Sequence, residues 1–557
     1  MPDKPDTRDR RAGRDNAEPV RGPQPRHGRE TYFIEGEGLV GGSAGVKAAA
    51  KVIRPPARTR AAAEVPDFRF SRMGPRGTRL PLTIRRKVAS AMNIGGREPG
   101  GKIPAGYTYL GQFVDHDLTF DKTKVTFGDN ISPADLLLGR SPTLDLDSLY
   151  GAGPNDPVSE VFYEDDRHLK VGKTVRVDGL RARKEYDLAR VGDGRRKNPR
   201  RTLIPDFRND ENLAVAQTHL AFIRFHNRVV DGVDSSVPAR RRFRVARSEV
   251  IKHYQWMLRH DYLPRICDRA VVKDVFDNGR KVFEVGAGPM TMPTMPVEFS
   301  VAAFRFGHSM IRAAYDWNAE FPDGSGALFF LFDFSGTSGG LGGDELALPS
   351  NWIADWRRMY NFASIGRPDL KPPPGERNLA RRIDTLLAPP LSDLPPGSFG
   401  GSFDDFGTRL ADLAFRNLTR ASMVKLASGQ QMAQLLRSKG VPVKTLTRRQ
   451  VLAGAGDGGG AVLDKLTATE RDKLAEDTPL WFYVLREAEL NDGQLTGVGA
   501  RIVAETFHRA MEGSRHSIVR DPVWRPTLGP VANRFTMTDL LLIAYDNDKA
   551  VLAPLGD

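Results

Sequence analysis

Apolar positions along this chain recur mainly every three or four residues and seldom alternate, which is the period of helices packed on one face. The pattern predicts helices over 210–230, 243–261, 298–313, 408–417, 429–438, 480–489 and 497–511, separated by Pro/Gly loops such as APPLSDLPPGS at 388–398. Because few segments alternate with period two, any sheet should be small, and the expected class is mainly α with little β structure. Residues 1–60 are rich in Arg, Asp, Pro and Gly without periodicity and read as a disordered or extended arm, leaving 61–557 as the catalytic domain. No repeat of solenoid length occurs. The run GAGDGG at 454–459 fits a GxGxxG loop only by count, since it follows a helical pattern rather than a strand.

With 557 residues, 40% hydrophobic and 27% charged, the chain has the profile of a globular protein large enough for one big catalytic body or two to three domains. No window approaches the roughly 18 apolar residues of a membrane span, and the start Met1-Pro-Asp-Lys-Pro-Asp has no apolar signal core. The expectation is a cytoplasmic location or export by a non-Sec route. Cys267 is the single cysteine, so intramolecular disulfides and cysteine-based metal sites are excluded. The net charge of +13 (82 minus 69) gathers in 181–201 and in Arg240, Arg241, Arg242, Arg244 and Arg247. With no helix-turn-helix, zinc-finger or RNP signature beside them, these clusters read as a solvated basic surface that attracts anions, not as a specific nucleic-acid site.

Four stretches carry chemistry. In Gly111-Gln-Phe-Val-Asp-His-Asp-Leu-Thr-Phe120, His116 stands between Asp115 and Asp117 among apolar residues, where charge is costly unless paired or used. The second runs from Pro205 to Arg228: Asp206 or Asn209 can cap a helix, Arg208 and Glu211 lie one turn apart, and Arg208 and His219 are nearly eclipsed about three turns apart. That spacing predicts an arginine, a carboxylate and an imidazole on one helical face. In the third, Ala303-Phe-Arg-Phe-Gly-His-Ser-Met-Ile311, Gly307 would let a flat ligand approach His308. The fourth, Phe415-Arg-Asn-Leu-Thr-Arg420, offers an amide to orient a ring nitrogen and an arginine to hold a carboxylate. Taken singly, each has an ordinary structural account: a hydrogen-bonded core histidine, a capped helix with an ion pair, a polar helix face.

Together and in this order, the four blocks resemble the animal haem peroxidase superfamily in its myeloperoxidase- and peroxidasin-like, bacterial form. Further similar stretches are His260-Asp-Tyr-Leu-Pro264, Thr478-Pro-Leu-Trp-Phe482 and Gly497-Val-Gly-Ala-Arg-Ile-Val503. The resemblance implies b-type haem, hydrogen peroxide as oxidant through a ferryl intermediate, and halide, thiocyanate or small aromatic donors. It makes His116 the distal base, Arg208 the charge that stabilises the leaving oxygen, and Gln112 the distal amide. His308 becomes the iron ligand, oriented by Asn417. Arg305 and Arg420 are expected to pair with haem propionates. Asp115 and Glu211 match carboxylates that form ester bonds to the haem. Asn212 stands where myeloperoxidase has a vinyl-linked methionine, so that third bond is not expected here, and the chloride chemistry associated with it is in doubt.

The resemblance also implies calcium, bound by Asp117 and the loop residues Ser141, Thr143, Asp145 and Asp147, whose alternating oxygens suit a hard cation. A monomer is expected. The rival reading is a fatty-acid dioxygenase related to cyclooxygenases, which needs a radical tyrosine three residues before the proximal histidine; that position is Arg305. A second rival is a non-catalytic adhesion or scaffold protein, which has no use for His116, Arg208, His308 and Asn417 together.

Overall fold

The computed structural model describes residues 68–93, 100–123, 125–191, 201–289, 291–342, 345–398, 407–454 and 460–557. The arm predicted over 1–60, the glycine run at 455–459 and residues 192–200 of the first basic cluster lie outside them. The architecture is carried by α1 (Leu82–Met92), α2 (Gly106–Leu118), α3 (Leu213–Asp231), α4 (Ala239–Met257), α5 (Arg269–Asn278), α6 (Leu413–Met423), α7 (Gly429–Ser438), α8 (Ala468–Glu476), α9 (Leu480–Glu489), α10 (Gly497–Gly513) and α11 (Met537–Ala544). In α9 and α10 nearly every side chain is buried, which marks them as core helices enclosed on all sides. The helix α2 packs on α3, α3 also meets α4 and α11, and α10 meets α5 and α9. Among the described residues no helix is long and apolar enough to cross a membrane.

The strands are short: β1 (Phe70–Ser71), β2 (Gly100–Pro104), β3 (Val171–Lys173), β4 (Lys184–Leu188), β5 (Met295–Pro296), β6 (Ala314–Tyr315), β7 (Gly326–Ala327) and β8 (Leu379–Arg381). They pair two by two, β1 with β5 in parallel and β2–β8, β3–β4 and β6–β7 antiparallel. The mainly α class with little β structure is what the periodicity predicts.

The helices predicted over 429–438 and 480–489 form with those bounds, the first opened by a capping box of Ser428 and Gln431. Others differ where capping residues override apolar period. The helix expected over 210–230 begins at Leu213, because Asn212 accepts from the Val215 amide and caps it. Before it, a separate 3₁₀ turn, Phe207–Asp210, is capped by Asp206. The helix expected over 408–417 starts at Leu413, where Asp412 accepts from Phe415, and runs on to Met423. The helix expected over 243–261 becomes a π turn at Leu258–Tyr262, followed by the short helix Leu263–Ile266 with Pro264 in its first turn. The helix expected over 298–313 does not form. A single turn, Val297–Ser300, gives way at Ala302 (φ −133°, ψ −74°) to the 3₁₀ segment Ala303–Met310.

Candidate active site

Two glycines seat α2 in the core. A side chain at Gly106 would meet the Tyr360 ring, and one at Gly111 would meet the Tyr262 hydroxyl. The last turns of α2 then present Gln112, Asp115, His116 and Asp117. His116 is buried, and its Nδ1 lies 2.8 Å from Asn209 Oδ1, while Asn209 Nδ2 lies 2.9 Å from His219 Nδ1. Since the amide oxygen can only accept, His116 Nδ1–H donates to it, and the lone pair stays on Nε2. Burial, together with the Arg208 charge, pushes the His116 imidazole down to about 3, so it is neutral and able to accept a proton at neutral pH.

Arg208 donates through Nε and Nη2 to the two oxygens of Asp206 (3.0 and 2.7 Å), and Nη2 also donates to the His116 carbonyl (2.9 Å). Asp206 is fully buried and also accepts from Arg140 Nε (2.9 Å). Burial alone would raise the Asp206 carboxyl, but the two guanidiniums outweigh it and hold it well below its ordinary range. A carboxylate fixed in this way clamps Arg208 against His116. Glu211 Oε1 is 3.6 Å from His116 Nε2 and accepts from Gln112 Nε2 at 2.6 Å; burial pushes its carboxyl up to about 7. Asn212 Nδ2 donates to Gln112 Oε1 (3.0 Å), fixing which way that amide faces.

The expected single helical face of Arg208, Glu211 and His219 does not exist, because the chain breaks between the 3₁₀ turn and α3. The imidazole gathered beside Arg208 and Glu211 is His116, and His219 stands behind Asn209.

On the other side, residues three apart on a 3₁₀ turn eclipse, which aligns Arg305 with His308. Asn417 Nδ2 lies 3.0 Å from His308 Nδ1; turning the amide over places Oδ1 there to accept from Nδ1–H, which leaves Nε2 free for a metal. Burial and then the charges of Arg305 and Arg416 push His308 down to about 3. Arg305 donates to Ser300 O, its own carbonyl accepts from Trp481 Nε1, and Arg420 pairs with Asp121. Sequence reading missed Arg416, one turn before Arg420 on α6, whose guanidinium is pushed down to about 10 by burial and by Arg305. The i,i+4 spacing of the two arginines was the available signal.

The two sides face a common space. The segment Ala303–Met310 packs against α2. Arg305 acts electrostatically on Asp115, and Glu211 on Arg416. A Cβ on Gly307 would meet nothing within 4 Å, so there is room beside His308. Two neutral imidazoles, buried carboxylates on one side and crowded guanidiniums on the other form a donor set that fits an iron porphyrin with acidic side chains.

Below His116, Asp117 is fully buried and accepts from Ser148 Oγ (3.0 Å). Thr143 Oγ1 meets Ser141 Oγ at 2.5 Å and Asp145 Oδ2 at 2.6 Å, and Asp147 Oδ2 accepts from the Ser141 amide. Burial raises the carboxyls of Asp117 and Asp147, and Asp147 Oδ1 has no hydrogen-bond partner. Among the described residues no ready-made cluster of three or more His, Cys, Asp or Glu stands at metal-holding distance.

A mainly helical fold that encloses two amide-held imidazoles, one of them beside a clamped arginine, has the layout of a haem oxidoreductase. Residues 103–326 match the family model described as animal haem peroxidase. The chain is 27% identical to thyroid peroxidase of Mus musculus over 188 residues, 32% of this chain and 20% of that protein. It is 30% identical to heme peroxidase 2 of Caenorhabditis elegans over 111 residues, 19% of this chain and 16% of that protein. The matched stretches thus span a fifth or less of these curated relatives. Among solved structures, peroxidase A of Dictyostelium discoideum has a TM-score of 0.52 at 17% identity, covering 81% of this chain and 88% of that one. The fatty acid alpha-dioxygenase of Arabidopsis thaliana reaches 0.51 at 13% identity, with 87% and 77% covered.

Proposed function

We propose that this protein is a haem peroxidase that reduces hydrogen peroxide and oxidises small donors such as halides, thiocyanate or phenols. The observation that carries the reading is the His116–Asn209 contact beside the Asp206-clamped Arg208, opposite His308. Bound haem would supply the redox-active iron. His116 Nε2, kept unprotonated, takes the proton from the nearer peroxide oxygen and returns it to the departing one. Arg208 holds positive charge where that oxygen becomes anionic, already oriented and therefore without reorganisation cost. Gln112, fixed by Glu211 and Asn212, holds water or a small anion in place. Asn417 sets the tautomer with which His308 would ligate the iron of a bound haem. Asp115 and Glu211 would supply the carboxylates for ester links to the haem, formed with hydrogen peroxide as the oxidant. Arg305 and Arg416 suit the propionates. Arg420 joins them only by leaving Asp121. The oxygens of Asp117, Ser141, Thr143, Asp145 and Asp147 suit calcium, which would discharge the crowded carboxylates and pin α2 beside His116.

Purified holoprotein tests this directly. In His308→Ala the haem Soret band should be lost or strongly shifted. In His116→Ala haem should stay bound, while the peroxide reaction followed by stopped flow slows by about 10²–10⁴. Unchanged spectra or rates in these variants would remove those residues from the mechanism, and oxidation of linoleate in place of iodide or phenols would favour the dioxygenase reading.

A further inference from the structure

A line of aromatic rings starts on α2. Tyr107, on α2, meets Tyr360 at 5.1 Å between centroids; Tyr360 meets Trp356 at 6.0 Å, Trp356 meets Tyr545 at 6.3 Å, and Tyr545 meets Tyr186 at 6.3 Å. All five are buried, and all are tyrosine or tryptophan, the side chains that can lose and regain an electron. Near the inner end, the Tyr262 hydroxyl occupies the space beside Gly111, next to Gln112. Ordinary core aromatics bury their polar tips against partners. Here Tyr360 Oη makes no hydrogen bond, and the Trp356 indole N–H lies against the Tyr545 hydroxyl. Tyr107 does donate, to Asp261 Oδ2 at 2.7 Å, so that carboxylate can hold its proton while the ring is oxidised.

The outer end reaches a surface cleft of about 470 Å³ lined by Lys173, Lys184, Glu185, Arg224, Arg228 and Asp231 among others. Arg224 lies over both Tyr545 (4.4 Å) and Tyr186 (5.2 Å) and so forms the wall between relay and cleft. Of the cleft's acids, Glu185 pairs with Arg224 and Arg228 and Asp231 with His168, while Glu164 is exposed at its edge. Lys173 and Lys184 are instead cross-strand neighbours in β3–β4, an arrangement of like charges that an anion between them would relieve.

We propose that Tyr107, Tyr360, Trp356, Tyr545 and Tyr186 form an electron relay, and that the cleft is a second donor site for anionic phenols too large to reach the haem cavity. This rests on the peroxidase reading above. Each phenol breaks its O–H bond, sending one electron inward along the rings and its proton to solvent, and leaves as a phenoxyl radical. Two phenols supply the two electrons and two protons that convert one hydrogen peroxide into two waters.

The test uses haem-loaded full-length protein with two donors, iodide and a tyramine-substituted polyglutamate. Trp356→Phe and Tyr545→Phe should each slow polymer oxidation at least about tenfold and leave iodide oxidation within about twofold. The tyrosyl radical seen by EPR after rapid mixing with peroxide should weaken in both. Lys173→Glu with Lys184→Glu should raise KM for the polymer without changing its kcat. Polymer oxidation at the normal rate in both Phe variants overturns the relay, and so does a parallel loss of iodide oxidation, which would mean damage to the haem site. If wild type shows no spectral response to peroxide and oxidises neither donor, the peroxidase reading itself falls, and the relay with it.

Discussion

Replacing Asn209 by leucine removes the amide that joins His116 to His219 while nearly preserving volume. Two buried contacts are lost, at 2.8 and 2.9 Å, leaving the Nδ1 atoms of both rings without a partner at a cost of about 1–3 kcal/mol each. The kinetic consequence is separate. A hydrogen bond worth about 1–1.5 kcal/mol net favours the Nδ1–H tautomer of His116 by about five- to tenfold, and without it much of the population carries its proton on Nε2 and cannot act as base. Loss of ring orientation adds to this, up to a ceiling set by the whole base contribution of about 10²–10⁴. The peroxide reaction of Asn209→Leu should therefore slow between about fivefold and the loss seen in His116→Ala. Asn209→Asp distinguishes tautomer from packing: it keeps an acceptor for His116 and adds negative charge, which raises the imidazole above its value of about 3 and moves the acid limb of the pH–rate profile upward. Histidine ring ¹⁵N shifts report the tautomer independently of turnover. Wild-type ring shifts together with a wild-type peroxide rate in Asn209→Leu would refute the reasoning.

Calcium should raise the melting temperature of chelator-treated protein in a saturable way, by about 2.7 kcal/mol of stability at a hundred times its Kd, and Asp117→Ala should abolish the response; calorimetry with and without calcium checks both. His168 sits between Asp165 (2.8 Å) and Asp231 (3.0 Å), and although burial pulls its imidazole down, these hydrogen bonds outweigh it and leave it above its ordinary value of 6.5. Its contribution to stability is therefore complete below 6.5 and fades as pH rises through the raised value, so the stability gap between wild type and His168→Phe should narrow from acid to alkaline pH in denaturant titrations. After peroxide treatment, acid acetone should fail to extract haem from wild type but release it from the double variant Asp115→Asn with Glu211→Gln; full extraction from wild type would show that no ester forms.

The mainly helical class and the two enclosed helices at 480–489 and 497–511 were legible because their apolar period is uninterrupted and a core helix needs little else. Helix starts were misread wherever a polar residue inside the period accepts from the chain ahead, as Asn212 and Asp412 do. The segment around His308 was misread for a related reason: its apolar spacing of three and four fits an α-helix and a 3₁₀ turn alike, and periodicity cannot separate them. The residues placed at the distal and proximal sides were chosen by block order, and the structure brings His116, Arg208, Gln112 and Glu211 together and sets Asn417 against His308. What no local pattern could give was the layer behind them. The path from Asp206 to Arg208 crosses two residues and could have been suspected, whereas the path from His116 to Asn209 crosses ninety-three and depends on how α2 meets the loop before α3.

Fold likeness does not choose between peroxidase and dioxygenase, since the solved examples of each lie at TM-scores of 0.52 and 0.51. The choice falls on single positions. The dioxygenase reading needs an oxidisable phenol eclipsed with His308, and here that place holds Arg305, tied to Ser300 O and acting on Asp115 and His308. A guanidinium cannot be oxidised to a hydrogen-abstracting radical. Of the tyrosines near α2, Tyr107 and Tyr262 point into packed core rather than into space where an acyl chain could lie, for one is bonded to Asp261 and the other fills the notch at Gly111, and Tyr109 is buried against Tyr315. Oxidising equivalents generated between His116 and His308 would therefore meet small donors that enter the cavity, or pass outward through rings, and would not find a fatty acid held beside a tyrosyl oxygen.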